Sequence, residues 1–134
     1  MNISRGRPHS AKDTLCIAGD YVAGSYYNSF PIADPLYSIL NQSSAAIVNL
    51  EAPVDTGTPQ SKWGRTLELS ESDLGVLTSA GFDAVTIANN HIMDHGERGL
   101  EETLACCSAE GLEAVGADSD IVTAIEPIRL SLPS

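Results

Sequence analysis

The sequence predicts a single α/β domain with a largely parallel β-sheet. Short apolar runs alternate along its 134 residues with longer stretches of helical periodicity. Each apolar run is followed by a polar or glycine-containing turn, which is typical of the end of a buried strand. Strands that alternate with helical segments favour right-handed βαβ crossovers, so we expect helices to cover the sheet.

In the first half of the chain, residues 14–19 form an apolar run and predict the first strand. Residues 32–41 carry apolar side chains at helical spacing, and Pro35 falls in the first turn, where proline is tolerated, so they predict a helix. Residues 45–50 predict the second strand. Residues 52–65 are rich in Pro, Gly, Thr and Ser without a period, which indicates a long loop away from the core.

The second half begins with the clearest helix of the chain. Ser70 and Asp73 form a Ser-x-x-Asp start signal, and Gly81 supplies the stop. The elements expected after it are a strand at 82–88, a helix at 97–110, a strand at 112–116 and a fifth strand at 125–132.

Composition and charge narrow the class of protein. A formal net charge of −11 repels nucleic-acid phosphates, so we expect no nucleic-acid partner. The first residues carry two arginines without an apolar segment behind them, and no stretch reaches the roughly 18 apolar residues of a membrane span, which favours a cytoplasmic location. Residues 1–13 are expected to be a flexible N-terminal segment and residues 14–134 the domain.

The three cysteines argue against a thiolate metal site. Cys16 lies in an apolar run, while Cys106 and Cys107 are adjacent and fall inside a predicted helix rather than at a strand end. Reduced, buried thiols that pack as small hydrophobic residues account best for them.

Polar side chains follow three successive apolar runs, at the edge where parallel α/β sheets collect functional groups. These side chains are Asp20 after the first run, Asn49 and Glu51 at the second, and Asn89, Asn90, His91 and Asp94 after the third. Carboxylate and amide oxygens with an imidazole suit Mg²⁺, Mn²⁺, Fe²⁺ or Zn²⁺. Taken singly, Asp20 also suits a turn cap, the asparagines suit Asx-turns, and His91 suits an interior histidine.

Two of these strand ends carry a family resemblance. The stretch AGFDAVTIANNHIMDHG, residues 80–96, resembles the signature of the CapA family of bacterial capsule (poly-γ-glutamate) synthesis proteins, and VNLEAPV, residues 48–54, resembles its second element. The resemblance covers about residues 14–130. This family is similar to calcineurin-like metallophosphoesterases, so the resemblance implies the N-terminal part of a metallophosphoesterase-like layered α/β sandwich.

The resemblance also implies roles for the polar residues. Asp20 would be a metal ligand, Glu51 a bridging or second ligand and Asn90 an amide-oxygen ligand. His91 would be the catalytic residue that faces the leaving oxygen. The remaining members of the group, Asn49, Asn89 and Asp94, would be supporting residues. The implied cofactor is a divalent ion (Mn, Fe, Zn or Mg), with two ions in the complete domain.

The sequence departs from these patterns in two ways. Tyr21 and Val22 follow Asp20, so the Asp-x-His start of the phosphoesterases is absent, a feature that this chain has in common with the CapA family. The His-Trp-Gly-like and Gly-His-x-His-like elements of the family's second half are also absent, which suggests a truncated domain with reduced or no activity alone.

In the loop at 52–65, Lys62 and Arg65 are candidates for binding an anionic small-molecule or polymer substrate. The alternative is an exposed loop with Trp63 packed on the domain.

The resemblance therefore implies a metal-dependent, phosphoesterase-like hydrolase of capsule biosynthesis. The alternative is a non-catalytic structural or interaction protein that keeps the fold. Because a chain that ends within its sheet leaves a strand edge uncovered, we also expect a homodimer formed through that edge.

Overall fold

The computed structural model describes residues 13–23, 32–60 and 64–130. Four strands and four helices alternate along these residues. In chain order they are β1 (Leu15–Tyr21), α1 (Asp34–Gln42), β2 (Ala45–Leu50), α2 (Glu71–Ala80), β3 (Ala84–Thr86), α3 (Gly96–Glu110), β4 (Glu113–Val115) and α4 (Ile121–Ala124). The strands form one all-parallel sheet in the order β1-β2-β3-β4. The predicted α/β class with a parallel sheet is confirmed.

The order of the strands determines where the helices lie. Each crossover moves to the next strand in the same direction, so right-handed connections place α1, α2 and α3 on one face of the sheet. Contacts of α1 with α2, and of α2 with α3, agree with this arrangement. Among the described residues the opposite face is open at β1, where Leu15 and Ile17 are 56% and 73% exposed.

The hydrophobic core fills the space between the sheet and these helices. Ala46, Val48 and Leu50 alternate along β2 with less buried residues, as a strand with one covered face requires. Leu74 and Leu77 of α2 pack in the same cluster and are fully buried. Burial of each leucine contributes roughly 1.5–3 kcal/mol, so this cluster, which contains residues of both β2 and α2, stabilises the domain.

The ends of α2 match their sequence signals. The Asp73 carboxylate accepts the Ser70 backbone N–H at 2.8 Å and the Ser70 hydroxyl at 2.7 Å. Gly81 ends the helix with a left-handed backbone (φ +112°), and its N–H reaches the carbonyls of the last turn. The predicted start and stop of this helix are confirmed.

The loop predicted at 52–65 is tied to the core at its start. Val54 and Leu69 form a parallel bridge, and they are 2% and 1% exposed. The Thr103 hydroxyl of α3 accepts the Val54 N–H at 2.8 Å. Thr56 and Gln60 of the loop also donate backbone hydrogen bonds to the buried residues His95 and Asp94, so the described part of the loop is tied to the core at more than its ends. Residues 61–63 of the predicted loop lie outside the described residues.

The fifth strand predicted at 125–132 is wrong for its described part. Residues 125–130 form no strand, and they follow the short helix α4. Asp120 caps this helix by accepting the backbone N–H groups of Val122 and Thr123 at 2.9 and 3.0 Å. Pro127 has no N–H to give to a ladder, which further disfavours a strand. Residues 131 and 132 lie outside the described residues, as do residues 1–12 of the predicted flexible segment.

The cysteines are free thiols, as predicted, but only Cys107 is buried; Cys16 and Cys106 are partly exposed, so the expected burial is wrong for these two. Burial, followed by the neighbouring Cys106, raises the pKa of Cys107 to about 12. Cys107 therefore stays protonated at neutral pH and packs as a small hydrophobic residue.

Within the described ranges, none of the helices combines the length and apolar composition that crossing a lipid bilayer requires.

Gly116 follows β4 and packs against Ala88, which follows β3, so its substitution tests how closely these two strands approach at their ends. Its φ is +108°, and a Cβ there would lie 2.8 Å from the Cβ of Ala88. We expect Gly116→Ala to lower the free energy of unfolding by about 2–4 kcal/mol, because backbone strain and a steric clash add together. The matched control is Gly111→Ala, where φ is +76° and nothing lies within 4 Å, so strain alone should cost about 1 kcal/mol. Equal losses in urea denaturation of the two variants would contradict this packing.

Candidate functional site

The ends of β1, β2 and β3 lie side by side, as predicted from the sequence. Asp20 is paired in register with Asn49, and Asn49 is paired with Thr86. Residues paired across parallel strands project from the same face of the sheet. The polar residues at these three strand ends are therefore brought together at the carboxyl edge.

A one-residue irregularity in β1 decides which side chain reaches this edge. Ile17 is paired with Ile47, and an unshifted register would place Gly19 opposite Asn49. The register instead shifts between Ile17 and Asp20, so Asp20 takes that place. Because side chains alternate between faces with a period of two, the extra residue also turns Asp20 to the face that Asn49 occupies. The shift thus places a carboxylate where the regular register would place a glycine.

Asn49 is the centre of the resulting network. Its Nδ2 group donates to Asp20 Oδ1 at 2.8 Å and to Glu51 Oε2 at 3.3 Å. Its Oδ1 atom accepts the Thr86 hydroxyl at 3.1 Å and Nδ2 of Asn89 at 3.4 Å. An amide group has two N–H donors, and here each one serves a different carboxylate. Two negative charges therefore converge on one side chain.

Asn89 shapes the turn that carries the histidine. Its Oδ1 atom accepts the backbone N–H groups of His91 and Ile92 at 3.0 and 3.1 Å, in the manner of an Asx-turn. Its Nδ2 group donates to the Leu50 carbonyl at 2.8 Å, which joins the turn to the end of β2. Asn90 is exposed at the tip of this turn. The two adjacent asparagines therefore differ in their surroundings: one is committed to backbone contacts and the other faces solvent.

His91 is held by a buried carboxylate. Its Nδ1 atom lies 2.8 Å from Asp94 Oδ2, and Asp94 is only 1% exposed. The same oxygen accepts the Leu67 N–H at 2.7 Å. Since an ionised carboxylate accepts hydrogen bonds only, the pair places the imidazole hydrogen on Nδ1 and the lone pair on Nε2. This contact fixes both the orientation and the tautomer of His91.

Of the two predicted substrate-binding residues, Lys62 and Arg65, only Arg65 is among the described residues. Lys62 lies outside the described residues, as does the neighbouring Trp63, whereas Arg65 is described and exposed. Tyr21, which follows Asp20, is turned toward α2: its hydroxyl donates to the Asp73 carbonyl at 3.3 Å. Burial, with a smaller effect of the Asp73 charge, raises the pKa of Tyr21 to about 12, so it is a neutral phenol.

The donor set at this edge has the chemistry that a divalent cation accepts. The structure brings the carboxylates of Asp20 and Glu51 together through Asn49. Asp20, Glu51 and His91 are not one of the described groups whose ligand atoms lie within 4.8 Å of one another, so the amide oxygen of Asn90 and the imidazole of His91 remain predicted members of the site. Oxygen-rich sites suit Mg²⁺ and Mn²⁺, and an added imidazole suits Fe²⁺ and Zn²⁺. The shared contact of both carboxylates with Asn49 is the feature that such a cation would exploit, because it would neutralise the two converging charges.

A second histidine escaped the sequence analysis. His95 is 1% exposed, and its ring lies between the carboxylates of Asp55 and Glu68. These residues are one of two acidic groups in the described ranges that have metal-ligand spacing; Glu71, Glu102 and Cys106 form the other. The spacing of two histidines four residues apart, in HIMDH, was the available signal, but the carboxylate partners come from an aperiodic loop.

Comparison with known proteins identifies the family. A family model described as bacterial capsule synthesis protein PGA_cap matches residues 6–133. A probable polyglutamine synthesis accessory protein of Mycobacterium tuberculosis is 28% identical over 83 residues, which cover 61% of this chain and 22% of the relative. The capsule biosynthesis protein CapA of Bacillus anthracis is 26% identical over 117 residues, 79% of this chain and 28% of the relative. The chain thus spans about a quarter of the length of these relatives. Because the family match extends over nearly all of its residues, the chain belongs to the bacterial capsule synthesis protein PGA_cap family.

Proposed function

We propose that this chain carries a metal-dependent, phosphoesterase-like hydrolase site that acts in capsule biosynthesis. The observation that supports the proposal most directly is the convergence of Asp20 and Glu51 on the Asn49 amide. Two carboxylates that share one neutral donor repel each other, so a cation at this point would relieve an unfavourable interaction. A purely structural role for the edge would be served as well by neutral side chains.

On this proposal, Asp20, Glu51 and Asn90 hold the cation. Asn49 acts as a supporting residue that orients both carboxylates, and Asn89 supports the turn that presents Asn90 and His91. The divalent ion, when bound, would supply Lewis-acid stabilisation of a phosphoryl oxygen and a more acidic bound water. We propose Mn, Fe, Zn or Mg as the ion, since the donor set contains oxygen and nitrogen atoms.

His91 serves as the general acid toward the leaving oxygen. The 2.8 Å contact with Asp94 orients the ring, so Nε2 is the atom that would carry the transferred proton. Asp94 is a positioning residue, because it acts on the reaction only through His91. The combination of a buried carboxylate and a partly exposed histidine follows the same logic as other acid–base pairs in enzymes.

The substrate class follows from charge. An acidic chain with a net charge of −11 attracts an anionic substrate only where local positive charge offsets it. The cation would provide that charge at the strand ends, and we propose that Lys62 and Arg65 of the loop contribute to binding the anion. The relatives' descriptions name capsule and polyglutamine synthesis, so we propose an anionic small molecule or polymer of capsule synthesis as the substrate.

The alternative proposal is a non-catalytic protein that keeps this fold for assembly. The exposure of Leu15 and Ile17 on the open face of β1 favours it, since apolar side chains at a sheet edge suit a second copy of the chain or another protein. The two proposals differ in one measurable property, because an assembly role requires no cation at the strand ends.

Calorimetry with Mn²⁺ tests the hydrolase proposal. We expect one weak site, because only three protein ligands are proposed for it. Asp20→Ala and Glu51→Ala should each abolish binding by removing a charged ligand, whereas His91→Ala should change the affinity only modestly. The matched control is Glu101→Ala, which removes a carboxylate from an exposed position of α3 and should leave binding unchanged. Mn²⁺ binding that survives Glu51→Ala but is lost in His91→Ala would contradict the assignment, and no binding by the parent chain would favour the assembly role.

Substitution of Asp94 tests how His91 is positioned. Asp94→Ala should lower the free energy of unfolding by about 1–3 kcal/mol, because the partly buried N–H of Leu67 loses its acceptor. Asp94→Asn keeps an oxygen acceptor and should cost less, although it removes the charge beside His91. Nitrogen NMR of the His91 ring should show the hydrogen on Nδ1 in the parent chain and a mixture of tautomers in Asp94→Ala. An unchanged tautomer in Asp94→Ala would mean that another group orients the ring.

A further inference from the structure

A second group of ligand-type side chains lies outside the strand-end network. Asp55 belongs to the loop after β2, Glu68 lies just before α2, and His95 lies at the start of α3. One ligand atom from each of the three lies within 4.8 Å of the other two. The His95 side chain is fully buried, whereas the side chains of Asp55 and Glu68 are 47% and 45% exposed. The group thus joins a buried nitrogen ligand to carboxylates that solvent ions can reach.

The Nε2 atom of His95 is the feature that points to a ligand. This atom is buried and has no hydrogen-bond partner, and among the described residues it is the one buried side-chain nitrogen or oxygen of which this is true. Buried polar side-chain atoms in native proteins nearly always have a partner, and an unsatisfied one costs about 1–3 kcal/mol. An occupant that binds Nε2 would remove this cost.

The distance across the gap fits a metal ion better than a hydrogen bond. Nε2 of His95 lies 3.4 Å from Glu68 Oε2. A good N–H···O hydrogen bond spans about 2.7–3.2 Å. In a tetrahedral zinc site with bonds of about 2.0–2.2 Å, two neighbouring ligand atoms stand about 3.3–3.5 Å apart. The two atoms are therefore already spaced as neighbouring ligands of one zinc ion.

The other ring nitrogen has the partner that a metal-bound histidine needs. Asp55 Oδ1 lies 3.4 Å from Nδ1 of His95, and the Gly57 N–H holds that oxygen with a 2.6 Å bond. In the structure Nδ1 accepts the Thr56 N–H at 3.2 Å, so the ring hydrogen is on Nε2. Metal binding would displace this hydrogen from Nε2 and require one on Nδ1, which would then give up its bond from Thr56 and donate a hydrogen bond to Asp55 Oδ1 instead. A carboxylate–histidine–metal series of this kind is common in metalloproteins.

We propose that Nε2 of His95 and the carboxylate of Glu68 bind a Zn²⁺ ion, with Asp55 orienting the imidazole and water completing the coordination. The imidazole and carboxylate donors are those that zinc accepts in proteins. The ion would tie the loop after β2 and the segment before α2 to the start of α3. That segment also contains Leu67, whose N–H binds Asp94 beside His91, so the ion would stabilise the support of the strand-end site.

Zinc calorimetry tests the proposal in the double variant Asp20→Ala/Glu51→Ala, which lacks the strand-end carboxylates. One Zn²⁺ site should remain there, so the result does not depend on the proposed hydrolase site. Adding Glu68→Gln should weaken this Zn²⁺ binding at least about 10-fold, and adding Asp55→Asn should weaken it about 10- to 100-fold as an outer partner of the ligand. The matched control is Glu102→Gln, from the other acidic group, which should leave the affinity unchanged. Affinity that is insensitive to Glu68→Gln would overturn the proposal.

Nitrogen NMR of the His95 ring gives a second readout that needs no further substitution. Saturating Zn²⁺ should shift the Nε2 resonance of His95 and move the ring hydrogen to Nδ1. The same titration should leave the ring unperturbed when Mg²⁺ replaces Zn²⁺, because Mg²⁺ prefers oxygen ligands. A ring that keeps its hydrogen on Nε2, or carries hydrogens on both nitrogens, at saturating Zn²⁺ would overturn the proposal.

Discussion

The side-chain amide of Asn49 holds the carboxylates of Asp20 and Glu51 close together, and the interpretation of the whole edge depends on this contact. The contact exists because three parallel strands end at the same level. Two crossovers and the pairing of β2 with both β1 and β3 produce that arrangement. The buried strand β2 therefore positions the Asn49 side chain. The Asn49 amide in turn brings together two carboxylates that would otherwise separate in water.

The sheet is asymmetric, and the asymmetry places the site. Right-handed crossovers put the helices and the core on one face, while Asp20, Asn49 and Thr86 share the other face with the exposed Leu15 and Ile17. The polar network therefore sits at the border between the carboxyl edge and the open face. A ligand approaching from that side meets side chains that the core neither buries nor restrains, apart from the hydrogen bonds of Asn49 and Asn89.

Sequence reasoning predicted most of the fold. It also predicted which polar residues lie at the carboxyl edge of the sheet, because both follow from local patterns. Hydrophobic runs mark the strands, Ser70 and Gly81 mark the ends of α2, and polar residues after each run mark the edge. The register shift before Asp20 has no local signal, since it depends on how β1 pairs with β2. The prediction of a fifth strand was wrong for residues 125–130, where Pro127 has no N–H to give to a ladder. His95 was missed because its carboxylate neighbours are 27 and 40 positions away in the sequence.

The central claim is that the carboxylates gathered by Asn49 bind a divalent cation. Crystals of the chain soaked in Mn²⁺ and measured at a wavelength where manganese scatters anomalously would test it directly. The account predicts an anomalous peak within about 2.0–2.6 Å of oxygen atoms of Asp20 and Glu51, with Asn49 still bonded to both side chains. Absence of a peak at this edge at saturating Mn²⁺, with the Asn49 hydrogen bonds intact, would contradict it.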